Sequence, residues 1–239
     1  MNAMTTRFRS TTLIILLGLT ALAAGKDLTV QIRAVLQDST KPDAKFFVGK
    51  VGTPLLPLKL AHEGLTESQK VVTDDGNLNL FSSATIDEAN PLAGLVATIK
   101  IPAGSSRLIV IIAPAALGTA PPYRMVLLND DPKSFPWGVS RAVNLTNVDF
   151  SLEVGDQKVP LLGNKVTAVP KVTKVDEFNR AQTNFHYQQN DQWVVAAELQ
   201  MQYVATLRRV FVIFETPGAL TPQVRTLVEQ QPKVLDKRR

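Results

Sequence analysis

Very few residues in this sequence are of the types that bind metals or act as nucleophiles. The chain has no cysteine, which excludes disulfides and cysteine-ligated zinc. Its two histidines, His62 and His186, lie far apart, and neither belongs to a ligand spacing such as His-x-x-x-His. We therefore predict no metal and no cofactor, with both histidines in ordinary loop or strand positions.

Catalytic motifs are also missing from the sequence. It contains no Gly-x-Ser-x-Gly elbow and no phosphate-binding glycine loop. Carboxylates occur in four adjacent pairs: Asp74 with Asp75, Asp87 with Glu88, Asp130 with Asp131, and Asp176 with Glu177. Such pairs suit a glycosidase or a calcium site, but turn formation is the simpler interpretation. We predict no catalytic residue, and a Ser-His-Asp hydrolase assembled in space stays open as the weakest alternative.

The segment Phe135-Pro136-Trp137-Gly138 is the one local feature that suggests recognition. Aromatics beside a proline make a stiff turn, and an exposed tryptophan can stack on a sugar or fill a partner's pocket. We name Phe135, Trp137 and the following Arg141 as candidate binding residues. The competing interpretation, which we favour, is that these rings fill a core where the chain enters a sheet.

The same region carries a resemblance to known sequences. The run from Phe135 to Thr146, the segment 150–160 and the closing run 208–214 resemble a group of uncharacterised secreted β-sandwich proteins of bacteria. The resemblance covers about half of the chain after its first 23 residues. It implies an envelope β-sandwich of unknown function, and it supplies no catalytic residues.

Short apolar runs broken by Pro, Gly, Asn and Asp recur along the chain, which favours an all-β sandwich or barrel. Residues 28–36 alternate as a strand with one face in water, whereas 108–113 are continuously apolar, as in a strand covered on both faces. Turn residues at 74–77 and 155–156 predict hairpins. Residues 193–203 contain good helix formers, but their alternation favours a strand, which we pair with the run at 208–215.

The predicted fold is two consecutive antiparallel β-sandwich domains of immunoglobulin type after an N-terminal signal helix. We place a signal peptide at 1–23, the first domain at 24–116, the second at 117–220 and a partly disordered basic segment at 221–239. The boundary rests on residues 114–122, which hold several prolines, Gly118 and no periodic pattern. A long loop within one domain is the alternative.

The first residues have the layout of a secretory signal. Arg7 and Arg9 precede an apolar run of roughly a dozen residues, too short for a bilayer span of about 20. Small residues favour cleavage between Ala23 and Ala24, while a buried helix or retained anchor is the alternative. The net charge of +5 arises mostly from this segment and the tail 233–239, so we expect no nucleic-acid partner.

The sequence therefore predicts a periplasmic or extracellular protein without a lasting membrane anchor. For function it predicts only a broad class. The leading expectation is a non-enzymatic structural or protein-interaction module of the cell envelope, by analogy with other sandwich folds. The alternative is a carbohydrate-binding or glycan-processing protein that uses Trp137 or Trp193 and nearby acids.

Overall fold

The computed structural model describes residues 27–38, 40–61, 64–87 and 89–232. The predicted signal segment, His62 and the tail 233–239 lie outside them. Ala23 and Ala24, which form the predicted cleavage site, also lie outside the described residues. Within the described part the chain is built of strands and turns and has no helix, which confirms the all-β prediction. Accordingly, no helix among these residues is long and apolar enough to cross a membrane.

The first half of the described chain provides nine strands. They are β1 (Leu28–Leu36), β2 (Phe47–Val48), β3 (Leu56–Pro57), β4 (Leu60–Ala61), β5 (Gln69–Thr73), β6 (Asn77–Phe81), β7 (Leu95–Lys100), β8 (Arg107–Pro114) and β9 (Tyr123–Asn129). Sheet 1 has the order β4-β1-β8-β9, with β5 also paired to β1, and sheet 2 has the order β3-β2-β6-β7.

The second half provides eight strands. They are β10 (Ser140–Asn144), β11 (Phe150–Val154), β12 (Gln157–Leu161), β13 (Val166–Val169), β14 (Arg180–Gln189), β15 (Gln192–Gln202), β16 (Leu207–Phe214) and β17 (Gln223–Gln230). Sheet 3 has the order β13-β10-β16-β17 and sheet 4 the order β12-β11-β14-β15.

The two halves repeat one topology. In each, the first strand pairs in parallel with the strand that begins the last hairpin, β1 with β8 and β10 with β16. The registers place Arg33 opposite Ile109 and Arg141 opposite Val210. The repeat therefore lies in the order and pairing of the strands.

Three apolar clusters hold the sheets together in the layer order 2-1-3-4. Cluster 1 lies between sheets 2 and 1, and cluster 2 lies between sheets 3 and 4. Cluster 3 joins the halves, with Ile109 and Ile111 of sheet 1 packed against Val210 and Val212 of sheet 3, all fully buried. Burying a side chain of this size stabilises a fold by about 1.5–3 kcal/mol.

Together with cluster 1, cluster 3 accounts for the burial of β8 on both faces. Cluster 3 also explains why β1 exposes less of its second face than predicted. β8 is covered on both faces as predicted, by clusters 1 and 3. β1 was expected to expose one face, and Thr29 and Gln31 are indeed exposed. From Arg33 onward both faces are buried, because sheet 3 covers the side that alternation assigns to water.

The predicted linker at 114–122 coincides with a hairpin. Pro114 ends β8, and residues 115–122 form the loop of the β8–β9 hairpin, whose strands pair along their length. The predicted domain boundary at 116/117 falls inside this loop. Within the segment 221–239, Gln223–Gln230 forms β17 and pairs with β16.

The strand order differs in one respect from that of the predicted immunoglobulin sandwiches. Immunoglobulin sheets contain strands A-B-E-D and C-F-G, so their first two strands share a sheet. Here β1 and β2 lie in different sheets, as do β10 and β11.

Two predicted pairings differ from those observed, while the Gly155–Asp156 hairpin is confirmed as β11–β12. The turn at 74–77 forms with positive φ at Asp75 and Gly76, but it carries the chain from sheet 1 to sheet 2. Residues 193–203 do form a strand. Its partner is β14, a strand that the sequence analysis missed, and β16 pairs with β10 and β17.

Candidate functional site

The three candidate residues of the 135–141 segment lie together in the connection between the halves. Phe135 is 1% exposed and belongs to cluster 3, so its ring presents no surface to a ligand. Trp137 and Arg141 are half-buried. Arg141 donates a hydrogen bond to the carbonyl oxygen of Ser134, and its guanidinium lies 5.8 Å from the Phe135 ring centroid.

Arg208, at the start of β16, brings the two aromatic residues of this turn together. Its guanidinium carbon lies 4.8 Å from the Phe135 ring and 4.6 Å from the Trp137 ring. It also donates to the Phe135 carbonyl oxygen over 2.9 Å. A cation held against two aromatic faces and shielded from water is favourable by about 2 kcal/mol. The faces that could stack on a sugar are thus in contact with the chain's own arginine.

Arg208 belongs to an ionic group between sheets 1 and 3, the arginine cluster, which consists of Arg33, Asp130, Arg208 and Glu229. Asp130 accepts from Arg33 over 2.6 Å and from Arg208 over 2.8 Å. Glu229 accepts from Arg33 over 2.7 Å and from Arg208 Nε over 2.8 Å. Each carboxylate bridges both arginines, so four buried or half-buried charges neutralise each other across the junction.

In the arginine cluster, burial and ion pairing shift the pKa values of Arg33 and Glu229 in opposite directions. For Arg33, burial lowers the pKa, but hydrogen bonds and charges from Glu229 and Asp130 outweigh it and leave the pKa above its usual value. For Glu229, burial raises the pKa, and the hydrogen bond from Arg33 with the charges of Arg33 and Arg208 outweighs it, so the pKa is lowered. Both groups are held in their charged forms.

This cluster was not predicted from the sequence, where Asp130 was assigned to a turn together with Asp131. The turn role belongs to Asp131, whose carboxylate accepts from the Lys133 backbone amide over 2.8 Å. The available signal was an arginine beside a run of apolar residues in a predicted strand, as at Arg33 and Arg208, since buried charges require partners.

Most of the other predicted turn carboxylates do form turns. The Asp176 carboxylate accepts from the backbone amides of Phe178 and Arg180, and Asp87 accepts from the amide of Ala89. Among the described residues, no three His, Asp or Glu side chains come together as a metal site.

His186, the histidine within the described residues, lies directly opposite Ser151 in the pairing of β14 with β11. Neither the Ser151 hydroxyl nor the buried His186 Nδ1 has a hydrogen-bond partner. A serine nucleophile is activated by a hydrogen bond to its base, and this pair does not form one.

The most exposed apolar side chains of sheet 4 lie on its outer face, beside this pair. A register shift between Phe185 and His186 makes Val195 the partner of His186 and Trp193 the partner of Gln188. Such a bulge redirects the side chains that follow it. Trp193 is 51% exposed and Val195 is 46% exposed, whereas Val194, Ala196, Ala197 and Met201 of the same strand pack against cluster 2.

A shallow depression of about 410 Å³ lies at the end of sheet 4, where the β10–β11 loop meets the β14–β15 turn. Its lining is mainly amide and carboxylate side chains: Asn147, Val148, Asp149, Gln188, Asn190 and Asp191. Gln188 is the cross-strand partner of Trp193, so their side chains lie side by side. We call this depression together with the Trp193 indole the Trp193 site.

The loops of the Trp193 site are held in place by the neighbouring 163–164 turn. Asn164 donates to the Asn147 side-chain oxygen over 2.7 Å, and the Gly163 amide donates to the Asp149 carboxylate over 2.9 Å. Asn190 and Asp191 close the β14–β15 turn with φ of 50° and 60°, a conformation that Asn and Asp tolerate. The lining groups are therefore positioned by the fold.

No protein-family model matches this chain, and no curated protein is significantly similar to it.

Proposed function

We propose that this protein is an exported, non-enzymatic binding module that contacts its partner through the outer face of sheet 4. The observation that carries the proposal is the exposure of Trp193 and Val195 side by side on one face. Tryptophan is among the residues that contribute most to binding energy at interfaces. The bulge in β14–β15 is a feature that natural sheets use to redirect side chains toward a site.

We further infer that each half of the chain is one β-sandwich domain. Support comes from clusters 1 and 2, each of which lies between two sheets of the same half. The repeated strand order favours two copies of one domain type. Cluster 3 is then the interface between the domains, and its apolar, buried character favours a fixed arrangement.

Export to the periplasm or the cell exterior is part of the proposal. It is supported by the signal-like layout of the first 23 residues and by the resemblance to secreted bacterial sandwich proteins. Cleavage between Ala23 and Ala24 stays a prediction, because both residues lie outside the part of the chain that the structure describes.

A non-enzymatic role is the second part of the proposal. It is supported by Asp131 and Asp176, two of the predicted acidic pair residues that bond to turn amides, and by the Ser151 and His186 side chains, which are not hydrogen-bonded to each other. Envelope proteins and envelope glycans are the two partner classes.

Photo-cross-linking in the cells that produce the protein tests the proposal. A photoreactive amino acid replaces Trp193 in one variant and Phe178 in the control, which is 56% exposed on the segment before β14. We expect one dominant adduct from position 193 in the envelope fraction and none from position 178. Equal labelling at the two positions, or no adduct at 193, would contradict the proposal.

A further inference from the structure

The Trp193 site combines two kinds of chemistry that are rarely adjacent on a protein surface. Its depression is lined by the amide residues Asn147, Gln188 and Asn190 and by the acidic residues Asp149 and Asp191. The Asn147 oxygen and one Asp149 oxygen accept hydrogen bonds from the 163–164 turn, which leaves the Asn147 amide nitrogen as a donor and the second Asp149 oxygen as an acceptor. The edge beside Gln188 presents an indole that is 51% exposed. A ligand that satisfies both must carry many hydroxyl or amide groups and also one apolar face.

Pyranose sugars have this combination. Their equatorial hydroxyls are donors and acceptors around the rim, and their axial C–H groups make an apolar, slightly positive face that matches the negative face of an indole. The pairing of Gln188 with Trp193 places the amide and the indole at cross-strand spacing, about 4.5–5.5 Å between Cβ atoms. That distance allows one sugar ring to contact both side chains.

On this basis we propose that the Trp193 site binds a neutral carbohydrate, such as a polymer of hexose or N-acetylhexosamine. This inference rests on the proposed function, because it names the ligand class of the same face. The hydrogen bonds that fix Asn147 and Asp149 before a ligand arrives reduce the entropy lost on binding.

The charges at the site argue against the other ligand classes. Asp149 and Asp191 repel anions, which disfavours phosphate and uronic acid polymers. A protein partner would be expected to bring a wider apolar contact than the one indole and Val195 that this face exposes. The depression is shallow and open to solvent, so a glycan chain can lie across it without presenting an end group.

Affinity electrophoresis of the full chain in gels that contain a soluble polysaccharide tests the proposal. The probes are hydroxyethyl cellulose, glucomannan and glycol chitin, with polygalacturonate as the anionic comparison. We expect retardation by at least one of the first three and none by polygalacturonate. Trp193→Ala and Gln188→Ala should weaken the interaction at least tenfold, whereas Phe178→Ala, a change of an exposed aromatic away from the site, should leave it unchanged.

Three outcomes would overturn the proposal: no retardation by any probe, retardation by polygalacturonate alone, or retardation that survives Trp193→Ala. A urea denaturation curve shows whether each variant is folded. If position 193 cross-links to an envelope protein while every polysaccharide fails, the carbohydrate inference is wrong and the proposed binding function stands. If cross-linking at 193 also fails, both are wrong.

Discussion

Arg208 determines the surroundings of the aromatic turn at residues 135–138. Its guanidinium contacts two aromatic rings, two carboxylates and one carbonyl oxygen, and it is 5% exposed. The turn residues that look like a binding motif in the sequence are thereby tied to the junction between the halves. Trp193 has no such contact among its described neighbours and keeps its face in solvent.

The two tryptophans provide a matched pair of substitutions. Trp137→Ala removes one of the two rings that cover Arg208, so we expect it to lower the free energy of unfolding by about 1–2 kcal/mol. Trp193→Ala removes an exposed ring and should change it by less than about 0.5 kcal/mol. Urea denaturation followed by circular dichroism measures both, and a larger loss in Trp193→Ala would contradict the structure.

Glu229 makes stability depend on pH in a defined direction. Its folded pKa is lowered, so its contribution is fully present above the unfolded value of about 4.5 and is lost as pH falls through the folded value. Glu229→Gln should therefore be less stable than the parent at pH 7, and the difference should shrink below pH 4.5. Urea curves at pH 7, 5, 4 and 3 measure this, with Glu198→Gln on exposed β15 as the control. A difference that stays constant with pH would contradict the ion pairing.

At the scale of the elements, the connection between the halves depends on one glycine. Gly138 has a φ of 86°, and a Cβ there would lie 3.3 Å from the backbone of Ala205. Gly218 has a φ of 82° with nothing within 4 Å of its Cβ. Alanine at either position costs about 1–2 kcal/mol for its conformation, and Gly138→Ala should cost more because of the added contact. Equal losses for both variants in thermal denaturation would show that the contact has no effect.

Strands were predictable from the sequence where apolar residues alternate or run together, as in β8 and β15. β14 was not predicted as a strand, because its inward positions include the polar residue Thr183, which is fully buried, and its outward positions are polar throughout. The partner strands of β15 and β5 were not predictable. The composition of a turn indicates that the chain reverses there, but it does not indicate whether the two flanking strands join the same sheet. Trp193 was a candidate from its residue type alone. Gln188 could not be predicted, because its place beside Trp193 follows from the register of β14 with β15.

At the scale of the whole molecule, the shared cluster 3 couples the two halves. Its burial between sheets 1 and 3, together with the arginine cluster, means that neither half retains its packing when the other unfolds. This coupling could not be predicted from the sequence, because apolar residues on one face of β1 or β16 indicate that the face is buried but not which sheet covers it.

We expect one cooperative unfolding transition for the described chain. Circular dichroism reports all strands, while fluorescence reports Trp137 in the connection and Trp193 in the second half, and the two urea curves should coincide. Ile111→Ala, in cluster 3, should shift both curves together by about 2–5 kcal/mol. A dichroism curve with two steps, only one of which coincides with fluorescence, would show that the halves unfold independently.

The central functional claim is that the outer face of sheet 4 is covered by a partner in the cell. Oxidative footprinting tests it most directly, because the chain has only two tryptophans and they serve as each other's reference. Mass spectrometry compares the oxidation of Trp193 with that of Trp137, in the purified protein and in intact cells that produce it. The proposal predicts that Trp193 is oxidised much less in cells while Trp137 is unchanged. An unchanged ratio would contradict it.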